Sequence, residues 1–245
     1  TRRDNDKELA NLLRVFGHMP IEAIAPMHIR QYMDLRGQVA KVRANREKAL
    51  FSHIFNKARE WGFTTAQNPC QGVKGFKETG RSRYVTDEEF DRVRANAHCT
   101  VVDAMDIALL TGQRPADVLK IKRTDIRDGA LWIVQNKTGA RLGIEITGEL
   151  AAVIERINQR PRKAISTFLI QDENGQPLSQ GALRSRFDKA RTLAKVDFQF
   201  RDIRAKAATD TGDLAHSQKL LAHKNREMTE HYVKSRIGER VRPLR

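Results

Sequence analysis

Apolar residues recur along most of this chain at helical spacing. From Lys7 to Phe16 they fall at Leu9, Leu12, Leu13 and Phe16, the i, i+3, i+4, i+7 stripe of an amphipathic helix. Pro20 and Pro26 then punctuate the chain. Pro26 suits the first turn of a second helix, with Ile29, Met33 and Leu35 toward a core, and Gly37 predicts its end. A third helix, from about Val42 to Trp61, places Leu50, Ile54, Phe55, Ala58 and Trp61 along one stripe and Arg43, Arg46, Lys48, Lys57 and Arg59 elsewhere. Together these predict a small all-α unit over residues 1–75.

The period then disappears. Asn68-Pro69, Gly72, Gly75 and Gly80 alternate with Lys74, Lys77, Arg81 and Arg83, which reads as a basic linker, placed at 76–83. Thr86-Asp87-Glu88-Glu89 has the form of a capping box and predicts a helix through about Ala97, opening a second domain over 84–245. Val101 to Leu110 reads as a buried helix stopped at Thr111-Gly112, and Pro115 restarts another, with Arg114 in the break. Leu131 to Val134 and Leu142 to Ile146 are β-prone runs joined by Asn136-Lys137-Thr138-Gly139-Ala140, which predicts a hairpin with Lys137 at its turn. Further helical stripes run over Leu150–Ile157, Leu183–Leu193, Ile203–Thr211, His216–Leu221 and Met228–Ile237. The predicted fold class is therefore mainly α with one small antiparallel sheet.

Charge adds a partner to this picture. The 245 residues hold 45 Lys plus Arg against 30 Asp plus Glu, a formal net charge of +15. Residues 1–80 hold 14 basic and 8 acidic residues and the remainder 31 and 22, so both parts are basic and no single tail explains the excess. A polyanion is the natural partner, because each phosphate neutralised releases condensed counterion. Aromatic residues make up only 6%, too sparse for the stacking platforms of single-strand binders, which favours duplex DNA. No apolar run approaches the ~18 residues of a spanning helix, so no membrane association is expected. Cys70 and Cys99 are too few for a disulfide framework or a zinc site, as expected in a reducing cytoplasm. The start, Thr1-Arg2-Arg3-Asp4, has neither Met nor an apolar leader and is expected to be a cut through a longer protein.

Four features can carry chemistry: Arg114 in its helix break, Lys137 at its turn, the run Arg201-Asp202-Ile203-Arg204, and Leu220-Leu221-Ala222-His223 followed by Tyr232. Taken singly, an Arg at a break is usually a cap, a turn Lys is usually solvated, and a His and Tyr are usually packing residues. The gaps between His216, His223 and His231 do not match the i, i+4 spacing of a helical metal pair, so no metal site is expected.

Taken together and in order, they resemble the tyrosine recombinase, or phage integrase, family. The matching segments are Leu109 to Leu119 with Arg114, the hairpin Lys137, Phe200-Arg201-Asp202-Ile203-Arg204, Leu220-Leu221-Ala222-His223 and Glu230-His231-Tyr232. The resemblance covers nearly the whole chain. It implies a helical core-binding domain, short of its first helix, followed by an α+β catalytic domain. It also implies DNA strand exchange through a 3′-phosphotyrosyl intermediate, with no cofactor, metal or ATP, in the manner of phage or genomic-island integrases. The implied partners are double-stranded DNA, three further copies of the chain in a tetramer on DNA, and accessory DNA-bending proteins, with a monomer in solution and a place in the bacterial cytoplasm at the nucleoid. The segment after Tyr232, through Val241 to Arg245, would dock on a neighbour.

The residue chemistry agrees with these roles. Tyr232 is the expected nucleophile, since a phenol of pKa about 10 is also a fair leaving group and keeps the step reversible. Arg114 and Arg204 are expected to grip the nonbridging oxygens with forked donors of fixed charge. Lys137 matches the family's general acid for the 5′-oxygen, and His223 is expected to donate to a nonbridging oxygen. Two departures stand out. Arg201 occupies a position where the family usually has His or Lys, and a guanidinium cannot accept the Tyr232 proton. Arg201 is therefore expected to act electrostatically, and Arg201→His to preserve activity. Ala222 replaces a glycine at a helix end where a positive φ would strain it. The competing readings are a noncatalytic DNA-binding protein of the same fold and a type IB topoisomerase.

Overall fold

The computed structural model describes residues 2–80, 83–161 and 166–237, with the side chains of Arg3, His231, Tyr232 and 234–237 outside the description. The chain divides into two compact units, 1–81 and 82–245. The proposed docking segment beyond Ile237 lies outside the described residues. No helix among those described is long and apolar enough to cross a membrane.

The first unit is two helices and a short 3-10 turn. Helix α1 (Arg2–Phe16) packs along α2 (Pro26–Glu60), which Pro26 opens. Phe16 fills the seam, its ring centroid 5.4 Å from Tyr32 and 5.0 Å from Phe51. A buried carboxylate locks the pair: Glu47 accepts hydrogen bonds from Tyr32 Oη at 2.8 Å, Arg36 Nε at 2.9 Å and Asn11 Nδ2 at 2.9 Å. Burial alone would raise its pKa, but these donors hold it below the usual range.

Gly37 does not end a helix. It lies buried inside α2, where an added Cβ would sit 2.2 Å from Cζ of Phe76. The break falls instead at Ala40, whose φ of −153° and ψ of 73° kink α2. Glycine at 37 makes room for a ring delivered by the segment that follows the helix. That segment is strapped down: Asn45 exchanges two hydrogen bonds with the Phe76 backbone at 2.8 Å each, and Arg30 donates to Lys74 O at 3.1 Å.

The second unit opens with α3 (Asp87–Ala95) behind its capping box, in which Glu89 N donates to Thr86 Oγ1 and Thr86 N to Glu89 Oε2, both at 3.2 Å. Helix α4 (Cys99–Thr111) is buried along most of its length and packs on α6 (Gly148–Gln159) and α8 (Asp202–Asp210). Between α4 and α6 come α5 (Pro115–Val118) and an antiparallel sheet of β1 (Ile126–Arg127), β2 (Ala130–Val134) and β3 (Arg141–Glu145), in spatial order β1-β2-β3. Leu131 and Ile133 face the core while Trp132 and Val134 face out, the alternation of a half-buried strand. Helix α7 (Gln180–Leu193) closes the core through Phe187, against Phe198 and Phe200. Helices α9 (Leu214–Leu221) and α10 (Arg226–Ile237) complete the unit and pack with α8. The architecture is mainly helical with one small antiparallel sheet, as the apolar pattern predicts.

Buried charge orients α8. Lys206, 1% exposed, reaches Asp87 at the start of α3 and Asp210 Oδ2 at 2.8 Å, with its ammonium 5.4 Å from the Tyr84 ring centroid. Burial opposes its charge, yet the two carboxylates raise its pKa.

Candidate active site

Two helix breaks build the site. Gly112 ends α4 at φ +64°, and a Cβ there would come within 3.0 Å of Leu221 Cδ2, so both conformation and contact require glycine. Pro115 restarts the helix and leaves Arg114 as the extended N-cap of α5. Partly exposed, Arg114 donates from Nη1 to Gln135 Oε1 at 3.2 Å and lies 3.9 Å from Asp117 Oδ2.

Arg204 is buried on α8, 3% exposed. Its Nη1 donates to Gly112 O at 2.5 Å and its Nη2 to Leu221 O at 2.8 Å. The break that releases Arg114 thus supplies a carbonyl that holds Arg204. The second break, at the end of α9, supplies the other.

That second break turns on Ala222, which adopts φ 50° and ψ 46°. A left-handed alanine costs about 1–2 kcal/mol. It places His223 in a buried position beside Arg204, with Nε2 3.2 Å from Arg204 Nη2 and Nδ1 3.0 Å from Thr229 Oγ1 on α10. Because a guanidinium only donates, Nε2 is the acceptor and Nδ1 carries the proton toward Thr229. Burial first, then the charges of Arg204 and Arg114, press the imidazole pKa down to about 4. His223 is therefore neutral near pH 7 and offers Arg204 a lone pair.

Lys137 stands apart from this buried group. It lies exposed in the turn between β2 and β3, which is closed by Gln135 N donating to Ala140 O at 2.8 Å and Gly139 N to Gln135 O at 2.9 Å. Arg201 is exposed at the N-cap of α8. Asp202 behind it is buried and accepts from Gln199 N at 2.8 Å, an orienting contact at the helix start. Tyr232 lies on α10, three residues after Thr229. No group of three or more His, Cys, Asp or Glu side chains among the described residues is arranged to hold a metal ion.

The structure thus brings Arg114, Arg204 and His223 together and leaves Lys137 and Arg201 at the surface. It adds Gln113, Gln135 and Thr229, which motif reading did not select. Gln113 is 1% exposed and donates to Thr111 O at 2.8 Å and Leu220 O at 3.1 Å, tying the two breaks to each other. The trace of Gln113 and Gln135 in the sequence is a polar side chain near an apolar run, which many surface positions share, and Thr229 has not even that.

Two arginines and a histidine are gathered at helix breaks, ahead of a helix that carries a tyrosine. A model of the phage integrase family matches residues 85–238, more than half of the chain, and the chain belongs to that family. It is 26% identical over 257 residues to prophage integrase IntE of Escherichia coli (strain K12), covering 95% of this chain and 68% of that protein. It is 30% identical over 202 residues to the integrase of Escherichia phage HK022, covering 76% and 56%, and 27% identical over 238 residues to that of Escherichia phage lambda, covering 90% and 66%. The chain thus spans between about half and two thirds of the length of these relatives. Among solved structures, a lambda integrase dimer bound to a COC′ core site shares the fold with a TM-score of 0.87 at 22% identity, over 98% of this chain and 90% of that one. A lambda integrase tetramer bound to a Holliday junction matches with a TM-score of 0.87 at 22% identity, over 98% and 73%.

Proposed function

We propose that this chain is a site-specific DNA recombinase of the phage or genomic-island type, cleaving and rejoining duplex DNA through a 3′-phosphotyrosyl link to Tyr232. The observation that carries the reading is the convergence of Arg114, Arg204 and His223 on two helix breaks, with α10 anchored to them by Thr229. That the lambda integrase neighbours are bound to DNA as a dimer and as a tetramer supports duplex DNA as substrate and a tetramer as the exchanging assembly. In this reading residues 1–75 are the core-type DNA-binding domain, 76–83 the linker and 84–245 the catalytic domain.

In the forward step the Tyr232 phenol oxygen forms a bond to phosphorus as the bond from phosphorus to the 5′-oxygen breaks. Lys137 gives its proton to the departing 5′-oxygen, and the phenol proton leaves to solvent because Arg201 cannot take it. Arg114 and Arg204 stabilise the charge that builds on the nonbridging oxygens. A phosphate entering beside Arg204 offsets the charge that, after burial, depresses His223, which favours the imidazolium and a hydrogen bond from it to a nonbridging oxygen. Rejoining reverses each transfer. Since the two guanidiniums supply the fixed charge, cleavage is expected to persist in EDTA.

The test is covalent capture. Wild type and Tyr232→Phe are incubated with nicked duplexes tiled across the DNA flanking the native gene, in EDTA, and denatured in SDS. A DNA-linked band from wild type alone is expected. Equal DNA binding by both proteins with no band from either, in the full-length protein as well, would favour the noncatalytic reading. Capture with relaxation of supercoils but no exchange between two marked duplexes would favour a topoisomerase.

A further inference from the structure

Gln135 is 1% exposed, directly after β2 and two residues before Lys137. Its side chain uses the whole capacity of an amide. Oε1 accepts from Arg114 Nη1 at 3.2 Å and from Thr138 Oγ1 at 2.9 Å. Nε2 donates to Gln113 Oε1 at 2.9 Å and to Leu221 O at 3.1 Å. The orientation is dictated by chemistry, since a guanidinium can only donate and a backbone carbonyl can only accept. Leu221 O is also the carbonyl that holds Arg204. The main chain of the same residue closes the turn that carries Lys137, through Ala140 and Gly139.

We infer that Gln135 is a positioning residue that ties the Lys137 turn to the arginine floor, so that the place of the proton donor relative to the phosphate grip is set by one amide. The inference rests on the reading of Lys137 as the acid and Arg114 as part of the grip. Its logic is that a four-bond amide in a dry setting has little room to shift. Only a neutral amide satisfies all four partners. A carboxylate would meet Leu221 O and Gln113 Oε1 acceptor to acceptor, and an apolar side chain of similar length would leave Gln113 Oε1 without this donor and Leu221 O with Arg204 alone.

The test compares Gln135→Met and Gln135→Glu with Lys137→Ala and with the double variant Gln135→Met/Lys137→Ala. All are screened for an intact melting transition and for binding of the captured core duplex. Cleavage is then timed on the ordinary duplex and on one with sulfur at the bridging 5′ position, whose thiolate leaves without an acid. On the ordinary duplex Gln135→Met is expected to cleave about 10²-fold slower, the scale of a misplaced catalytic group. The sulfur duplex is expected to restore much of that loss, as it restores Lys137→Ala. The double variant is expected to be little slower than Lys137→Ala alone.

A Gln135→Met defect that is the same on both duplexes, or that adds in full to that of Lys137→Ala, would overturn the inference while leaving Lys137 as the acid. Wild-type rates for both Gln135 variants would do the same. If Gln135→Met does not fold, Gln135→Glu, which keeps the bonds from Arg114 and Thr138, carries the comparison. Failure of the sulfur duplex to rescue Lys137→Ala would instead remove the acid reading, and the inference with it.

Discussion

Arg204 and Arg201 stand three residues apart and live in different physical worlds. Arg204 is buried, with two carbonyls and an imidazole around its guanidinium, whereas Arg201 is exposed at the helix start. The contrast extends to the proposed site as a whole. Its floor, made of Arg204, His223 and the carbonyls of Gly112 and Leu221, is held by hydrogen bonds within the chain. Its rim, made of the Lys137 turn and Arg201, is solvated. A preformed floor costs no reorganisation when charge builds on a phosphate, while a solvated rim suits groups whose geometry is completed by substrate. Gln135 is where floor and rim meet.

The sharpest way to break that comparison is to substitute one residue of each part. Lys137→Ala is expected to slow cleavage by about 10²–10⁴-fold, the usual worth of a general acid, and to leave the melting temperature unchanged. Arg204→Lys is expected to slow cleavage by about 10²–10³-fold and to lower stability by roughly 1–3 kcal/mol, because Gly112 O and Leu221 O lose their forked donor. Cleavage timed on a nicked duplex, beside thermal melts, checks both. A Lys137→Ala protein as destabilised as Arg204→Lys would erase the distinction between rim and floor.

The floor also makes a prediction about pH. Folded His223 titrates near 4, held down by burial and two guanidiniums, while an imidazole in an unfolded chain titrates near 6.5. Between these values the unfolded chain binds the extra proton. Stability from this group is therefore full above pH 6.5 and is lost as the pH falls toward 4, by on the order of 3 kcal/mol. His223→Gln keeps an acceptor for Arg204 and has no such titration. Melting temperatures measured from pH 8 to 4 should fall more steeply for wild type than for the variant, and parallel curves would refute the assignment.

Much of this floor was legible in the sequence because its determinants are local. A glycine before an arginine and a proline after it encode a helix stop and restart within four residues, and Thr86 with Glu89 encodes a helix start. Arg114 and His223 lie at helix ends, whereas Arg204 sits inside α8, whose start carries no side-chain cap. What escaped depends on distant partners. Gly37 looks like a helix end and is instead a slot for Phe76, and Gln135 is polar for the sake of Arg114 and Leu221. The two-residue strand β1 is too short to show any period. Position 37 gives this difference a number. Gly37→Ala places a Cβ against the Phe76 ring and should destabilise the first unit by about 1–3 kcal/mol, the range of overpacked cores. Pairing it with Phe76→Leu should recover part of that loss. A Gly37→Ala protein as stable as wild type, measured by urea titration, would show that the ring does not fix this residue.

The smallest expected effect lies at the other exception to local rules. Ala222 holds a left-handed conformation beside the floor, at the cap that presents His223 to Arg204. Relieving that strain with glycine gains about 1–2 kcal/mol in the folded state, while the extra freedom of glycine in the unfolded chain returns about 0.4–1 kcal/mol of it. Ala222→Gly should therefore be more stable by about 0.5–1 kcal/mol, read as a small rise in urea midpoint with an unchanged slope. The backbone hydrogen bonds from Ala222 N to Lys219 O and from His223 N to Gln218 O, at 2.9 and 3.0 Å, need no side chain at 222, so cleavage should not change. A fall in midpoint would mean that the methyl group contributes more through packing than the backbone loses through strain. A fall in cleavage at unchanged stability would mean that the alanine itself sets the direction of His223.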